Sequence, residues 1–379
     1  MKNLKFYVGI LSACILASCG GVQPDFTVNG EDARSVFFED VAVVDSVMPL
    51  HFTEPVSVGN AFTVGDEMLI IDSDYRKMWI LKNHRQIAVL DAHGRGHGEY
   101  RRLYESSYSP EGRELLVWSE DERSFLKYEV PSMRFAGKIQ LDIDWISNFT
   151  FVSDKLIFGF GADEDSNPML FSMNVQSGEV RKITDISNFQ DSYCSIPSEC
   201  YNSSDIVIGM PGYVNSIAVL GKDGSCTQRY RFCFADGMPE EMYDNANDIS
   251  NYDNQREFVS FRAEEHYFFN VVMPEITDSG CSFWYCNNNG PEGDDTWLRY
   301  YRRDSVSVVQ YKDFTVPGLN LNIQPDGLIG NGSYYSLISG PADMIEDSTI
   351  EPSSLAKQIL DAVNNQNDDN PVIMYWHFK

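Results

Sequence analysis

Positive charge is scarce in this sequence. Lysine and arginine number 29 against 56 aspartates and glutamates, a formal net charge of −27 over 379 residues. An excess of that size repels phosphate backbones and excludes nucleic acid as a partner. It also opposes lying flat on an anionic bilayer. Histidine is scarce as well, with six residues, and no Cys-x-x-Cys occurs, which leaves zinc few ligands. Gly-x-Ser-x-Gly is missing, so there is no nucleophile elbow. Beyond the N-terminus no apolar run is long enough to span a bilayer, and long helical patterns are nearly absent. No motif implies a cofactor.

What is present begins at residue 1. Lys2 and Lys5 precede the apolar stretch Phe6–Leu16, which is too short for a stable span. Leu16-Ala17-Ser18-Cys19 follows, the pattern of a bacterial lipobox, whose cysteine is acylated and becomes the new N-terminus. The expectation is a signal peptide over 1–18, lipidation of Cys19 with anchorage to a lipid bilayer, and a tether over 19–35. Loss of Lys2 and Lys5 takes the net charge from −27 to −29.

Six cysteines remain in the mature chain: Cys194, Cys200, Cys226, Cys233, Cys281 and Cys286. An even number in an exported chain permits disulfides. If Cys281-Ser-Phe-Trp-Tyr-Cys286 is one strand, its ends lie about 16 Å apart, beyond the reach of a direct bridge.

The body is rich in short apolar runs punctuated by Gly, Asp, Asn and Ser. Examples are Glu67-Met-Leu-Ile-Ile71, Lys77-Met-Trp-Ile-Leu81 and Glu114-Leu-Leu-Val-Trp118. Such runs, with 13% aromatic residues, read as strands joined by tight turns. They group into about six units: Phe62–Asp91, Tyr108–Leu141, Phe149–Ile183, Ile206–Phe234, Arg256–Tyr311, and Gly327–Ile338 with the C-terminal strand. Four-stranded units repeated about six times describe an all-β, six-bladed β-propeller over 36–379; a β-sandwich with an appended domain would show no repeat. A helix is expected over Ile350–Val363, with Pro352 in its first turn. A closing strand follows over Asn370–Lys379, expected to pair with the first blade.

His93-Gly-Arg-Gly-His-Gly-Glu-Tyr100 stands out. A dinucleotide loop needs glycine at position 99, which is Glu99, and a following helix. His93, His97 and Glu99 are metal-ligand types, but alternate glycines cannot hold them rigidly. The favoured reading is a structural turn between blades. The stretch resembles the G-x-G-P-G-E-[YF] signature of six-bladed β-propeller lipoproteins of Gram-negative bacteria, which are NHL-like or TolB-like propellers. His97 stands where the family has proline. The resemblance implies a fold and an envelope location, and no assigned reaction.

Because blade strands alternate in direction, the loop between second and third strands shares a face with the connection to the next blade. That rim gathers Asp72, Asp74, Tyr75 and Arg76 on one loop and Arg95, His97, Glu99 and Tyr100 on the connection. Ser119–Arg123, Gly161–Ser166 and Met210–Val214, with Tyr213, are expected to join them. Trp297, beside the Asn287–Asp295 insertion, is the best exposed tryptophan. Such a rim suits a sugar, a peptide or a cation. The D-x-D-x-N opening at Asp163 fails as a calcium loop, with Pro168 where glycine is needed. The expected function is an envelope binding or protein-interaction module for a glycan, a peptide or another envelope protein. The alternative is a lactonase-like or glycosidase-like hydrolase acting at the central channel.

Overall fold

In the computed structural model, the described residues are 24–29, 33–183, 196, 200–210, 215–235, 237, 269–277, 280–287, 296–302, 308–330, 332–338, 351–365 and 370–379. Cys19, Cys194, Tyr213 and the 288–295 insertion lie outside them.

Among the described residues the strands form six small sheets, five of four strands and one of five. The N-terminal segment gives β1 (Phe26–Val28), β2 (Arg34–Phe37) and β3 (Ala42–Pro49). Blade 1 is β4 (Val58–Val64), β5 (Glu67–Asp72), β6 (Met78–Lys82) and β7 (Arg85–Leu90). Blade 2 is β8 (Ser106–Ser109), β9 (Glu114–Ser119), β10 (Ser124–Glu129) and β11 (Arg134–Gln140). Blade 3 is β12 (Ile143–Ser153), β13 (Leu156–Asp163), β14 (Pro168–Asn174) and β15 (Val180–Lys182). Blade 4 contributes β16 (Asp205–Met210), β17 (Asn215–Gly221) and β18 (Cys226–Phe234). Blade 5 has β19 (Phe269–Thr277), β20 (Gly280–Asn287), β21 (Thr296–Arg302) and β22 (Val308–Thr315). Blade 6 has β23 (Gly327–Gly330), β24 (Ser333–Ile338) and β25 (Val372–Phe378). This is the β-propeller read from the sequence, and the strand groups match its six units.

The residue pattern explains the layering. Middle strands such as β5, β6, β9 and β10 are buried along nearly their whole length, because both faces pack on neighbouring blades. The outermost strand β11 alternates exposed and half-buried residues. The β6–β7 hairpin turns on Asn83 and His84, both at positive φ (49° and 61°), the primed geometry that suits strand twist. Buried Glu67 ties blade 1 to blade 2, meeting Lys82 Nζ at 3.2 Å and Arg113 Nη1 at 3.0 Å.

The N-terminal segment departs from expectation. Read as tether up to residue 35, it instead supplies outer strands to three consecutive blades. Strand β1 runs parallel to β18 in blade 4, β2 runs parallel to β22 in blade 5, and β3 runs antiparallel to β25 in blade 6. Val28 is fully buried in a cluster with Ile217, Phe232 and Phe283. Apolar burial, which a solvated tether would forgo, holds it there. Strand β25 is therefore the third strand of blade 6 and pairs with β3, not with blade 1. The ring closes one blade earlier than the sequence suggested.

The C-terminal helix spans Ser354–Asn364 and buries Leu355, Ala356, Ile359 and Val363. Ser353 caps it, its Oγ accepting from the Ala356 N–H at 3.1 Å. Pro352 thus precedes the cap and lies outside the first turn. Cys281 and Cys286 share strand β20, so a direct bridge between them is out of reach; among the described residues Cys226 and Cys233 are free thiols.

Candidate functional site

The innermost strands β4, β8 and β12 line a cavity of about 300 Å³ among blades 1, 2 and 3. Asn60 and Phe62 come from β4, Ser106 and Ser107 from β8, and Asn148 and Phe149 from β12. Tyr104 and Glu105, on the connection between blades 1 and 2, complete its mouth.

The rim is built as strand alternation requires. The Asp72–Lys77 loop and the 91–105 connection lie on one face: the Tyr75 and Tyr104 rings meet tilted at 51° with centroids 4.7 Å apart, and Leu103 N–H donates to the Tyr75 carbonyl at 2.9 Å. The connection continues to blade 2, where Arg101 pairs with Asp121 at 2.6 Å. Arg123 pairs with Asp144 at 2.6 Å across to blade 3. Much of the acidity expected at this rim is therefore neutralised locally.

Most residues proposed from sequence hold the rim rather than face the cavity. Asp72 turns its carboxylate inward, accepting from the Arg76 and Lys77 N–H groups at 2.6 and 2.9 Å. Arg76 is exposed, and its carbonyl accepts from the Tyr100 hydroxyl at 2.6 Å. Tyr100 is buried at 1% exposure, and its hydroxyl also accepts from the Ala92 N–H. Burial pushes that phenol above its ordinary range. Glu99 folds back on Gly96 N–H at 2.7 Å. Gly98 sits at φ +73° with Phe135 where a Cβ would be, and its carbonyl accepts from Tyr128. The glycine-rich stretch is thus a structural turn. Asp74, Arg95 and His97 are exposed, with His97 edge-on to Phe135 at 5.0 Å. Trp297 lies within β21, opposite Cys286. Met210–Val214 follows the first strand of blade 4, not the second, and so does not belong to this set of loops. Asp163 spends its carboxylate on the N–H groups of Asp165 and Asn167.

Among the described residues of that set, Tyr75 is the one that reaches the mouth, through Tyr104. The sequence reading ended the connection at Tyr100 and so stopped short of Tyr104 and Glu105. Alternation supplies the missing signal: residues immediately before a first strand stand at the channel mouth.

Glu105 carries the chemistry of the cavity. Burial and the nearby Glu120 push its carboxyl up to about 7, favouring the protonated form, which can donate as well as accept. Beside it the Ser106 hydroxyl is buried with no hydrogen-bond partner among the described residues. The walls thus combine a carboxyl, amides, hydroxyls and the faces of Tyr104, Phe62 and Phe149. In blade 6, Asp326 takes the same place before β23 and is pushed up to about 6 by burial.

Residues 27–272 match the model of a family described as 6-bladed beta-propeller. The chain belongs to that family. Solved structures share the propeller fold at low identity. One, from Bacteroides fragilis and inferred to be an exported protein, is 13% identical, covering 94% of this chain and 100% of its own, with a TM-score of 0.63. A member of the duf4221 family from Bacteroides vulgatus is 12% identical, covering 89% and 97%, with a TM-score of 0.50. Among curated proteins none matches.

Proposed function

We propose that this propeller is a lipid-anchored envelope protein of the NHL-like or TolB-like kind that binds a neutral, hydroxyl-rich ligand, the end of a glycan, in its channel-mouth cavity. One observation carries the reading: a 300 Å³ cavity with amides, hydroxyls, a carboxyl titrating near 7 and aromatic faces in one wall. Carboxyl and amide groups exchange hydrogen bonds with sugar hydroxyls, and aromatic rings cover the apolar sugar face. The lipobox at Leu16–Cys19 supports export and acylation.

The test is a thermal-shift and calorimetric screen of oligosaccharides and peptides against the mature protein. A glycan at 100 times its dissociation constant stabilises by about 2.7 kcal/mol, and Tyr104→Ala and Asn60→Ala abolish the shift. A panel in which only basic peptides bind would overturn the glycan reading. Turnover of a chromogenic glycoside or lactone that Glu105→Gln eliminates would convert the site to a catalytic one. Radiolabelled palmitate should enter the wild-type protein and not Cys19→Ser.

A further inference from the structure

The N-terminal strand fixes where an acylated end leaves the ring. Asp25 is tied to β18 twice: its N–H donates to the Arg231 carbonyl, and its Oδ2 accepts from the Arg231 N–H, each at 2.7 Å. Val28, three residues on, is fully buried. Five residues separate Asp25 from Cys19. Even fully extended, those six Cα steps reach only about 20 Å, comparable to the radius of gyration, about 20 Å, of a domain this size. So short a lead cannot let the body turn freely above a bilayer. It holds the perimeter of blade 4 nearest the anchor.

Three cations lie at that perimeter. Lys222 and Arg229 are exposed and Arg231 is half-buried. None of the three meets a carboxylate in an ion pair among the described residues, in a chain with 56 acids. Arg229 donates to the Ser216 hydroxyl at 3.2 Å. The acids on the same elements are otherwise engaged: Asp223 accepts from Ser225 Oγ at 2.7 Å, and Asp25 from backbone. On blades 1 and 2 Lys77, Lys82, Arg101, Arg113, Arg123 and Lys127 are each ion-paired, while Arg76, Arg85, Arg95 and Arg102 are exposed and meet no carboxylate in an ion pair among the described residues, so it is the short lead from Cys19, not charge alone, that singles out blade 4.

We infer that the outer edge of blade 4 rests on the membrane, with Lys222, Arg229 and Arg231 meeting lipid phosphates. The inference rests on acylation of Cys19. The acyl chains supply the affinity, since the net charge opposes adsorption; the short lead from Cys19 to Asp25 chooses which side lies down, and the three cations there meet the phosphates. Blade 1, across the ring, then points away, and the cavity among blades 1–3 opens toward ligands arriving from outside the bilayer.

Hydrogen exchange on the full-length acylated protein tests this, comparing vesicles of phosphatidylcholine and phosphatidylglycerol with detergent. Amides of 222–231 should exchange at least threefold more slowly on vesicles, while the Asn83–His84 hairpin of blade 1 is unchanged. Arg229→Glu with Arg231→Glu should remove the difference without releasing the protein from vesicles. Protein that mass spectrometry shows to be unacylated overturns the anchoring reading and this orientation together. Acylated protein with uniform exchange, or with protection at blade 1, overturns the orientation alone.

Discussion

Glu105 and Tyr100 show how differently two polar side chains of one connection are used. Tyr100 is spent on structure: removing its hydroxyl leaves the Arg76 carbonyl and the Ala92 N–H without their partner. Tyr100→Phe is expected to cost about 1–2 kcal/mol, read as a drop of a few degrees in Tm. Glu105 is held in a place that disfavours its charge. Its folded-state pKa of about 7 lies above the unfolded value, so the folded state binds the extra proton. The resulting stability is present at low pH and is lost as pH rises through 7. Wild type should lose on the order of 1–2 kcal/mol more than Glu105→Gln between pH 5 and 8, after allowance for water in the mouth, by chemical denaturation at both pH values. Glycine positions separate in the same way. Gly98→Ala should destabilise clearly, with positive φ and the Phe135 ring 2.5 Å from the new Cβ. Gly96→Ala meets only the movable end of Glu99 at 3.0 Å and should cost less.

Among the elements, the middle strands were the most legible. Glu67–Ile71 and Glu114–Trp118 read as strands because uninterrupted apolar runs of that length fit a sheet buried on both faces, and the turns between them carry their own chemistry. Strands β1 and β2 gave no such signal. They are three and four residues long, lie in a polar stretch, and pair in parallel with strands some two hundred and more positions away, where no hairpin turn marks the partner. The candidate site was half legible for a related reason. The rim loops followed from alternation, but the side chains there mostly turn onto their own backbone, which sequence does not reveal. Strand β1 makes a sharp prediction. A chain shortened to begin at Arg34 should lose exchange protection at Arg231 and Ala235, which bond to Asp25 and Val28, while blades 1–3 keep theirs.

At the scale of the molecule, charge is the dominant long-range term. The six-unit repeat was visible because each blade must bury its faces against two neighbours, but the formal charge of −27 works against any compact form. Sodium chloride between 10 and 500 mM should therefore raise Tm, as screening shortens to a few ångströms. The ion pairs of blades 1 and 2 weaken over the same range, so the net rise measures how far self-repulsion exceeds local pairing.

The girdle formed by β1, β2 and β3 also bears on biogenesis. Among the described strands these come first in chain order, yet each waits for a partner made much later, β3 for β25. Strand β1 stays uncovered until β18 is made, β2 until β22, and β3 until β25, each meanwhile in the state in which strands adhere to the wrong neighbour. A stop codon placed just before β25 should therefore be far more damaging than the 7 residues of that strand imply, leaving blade 6 without the strand that fastens β3.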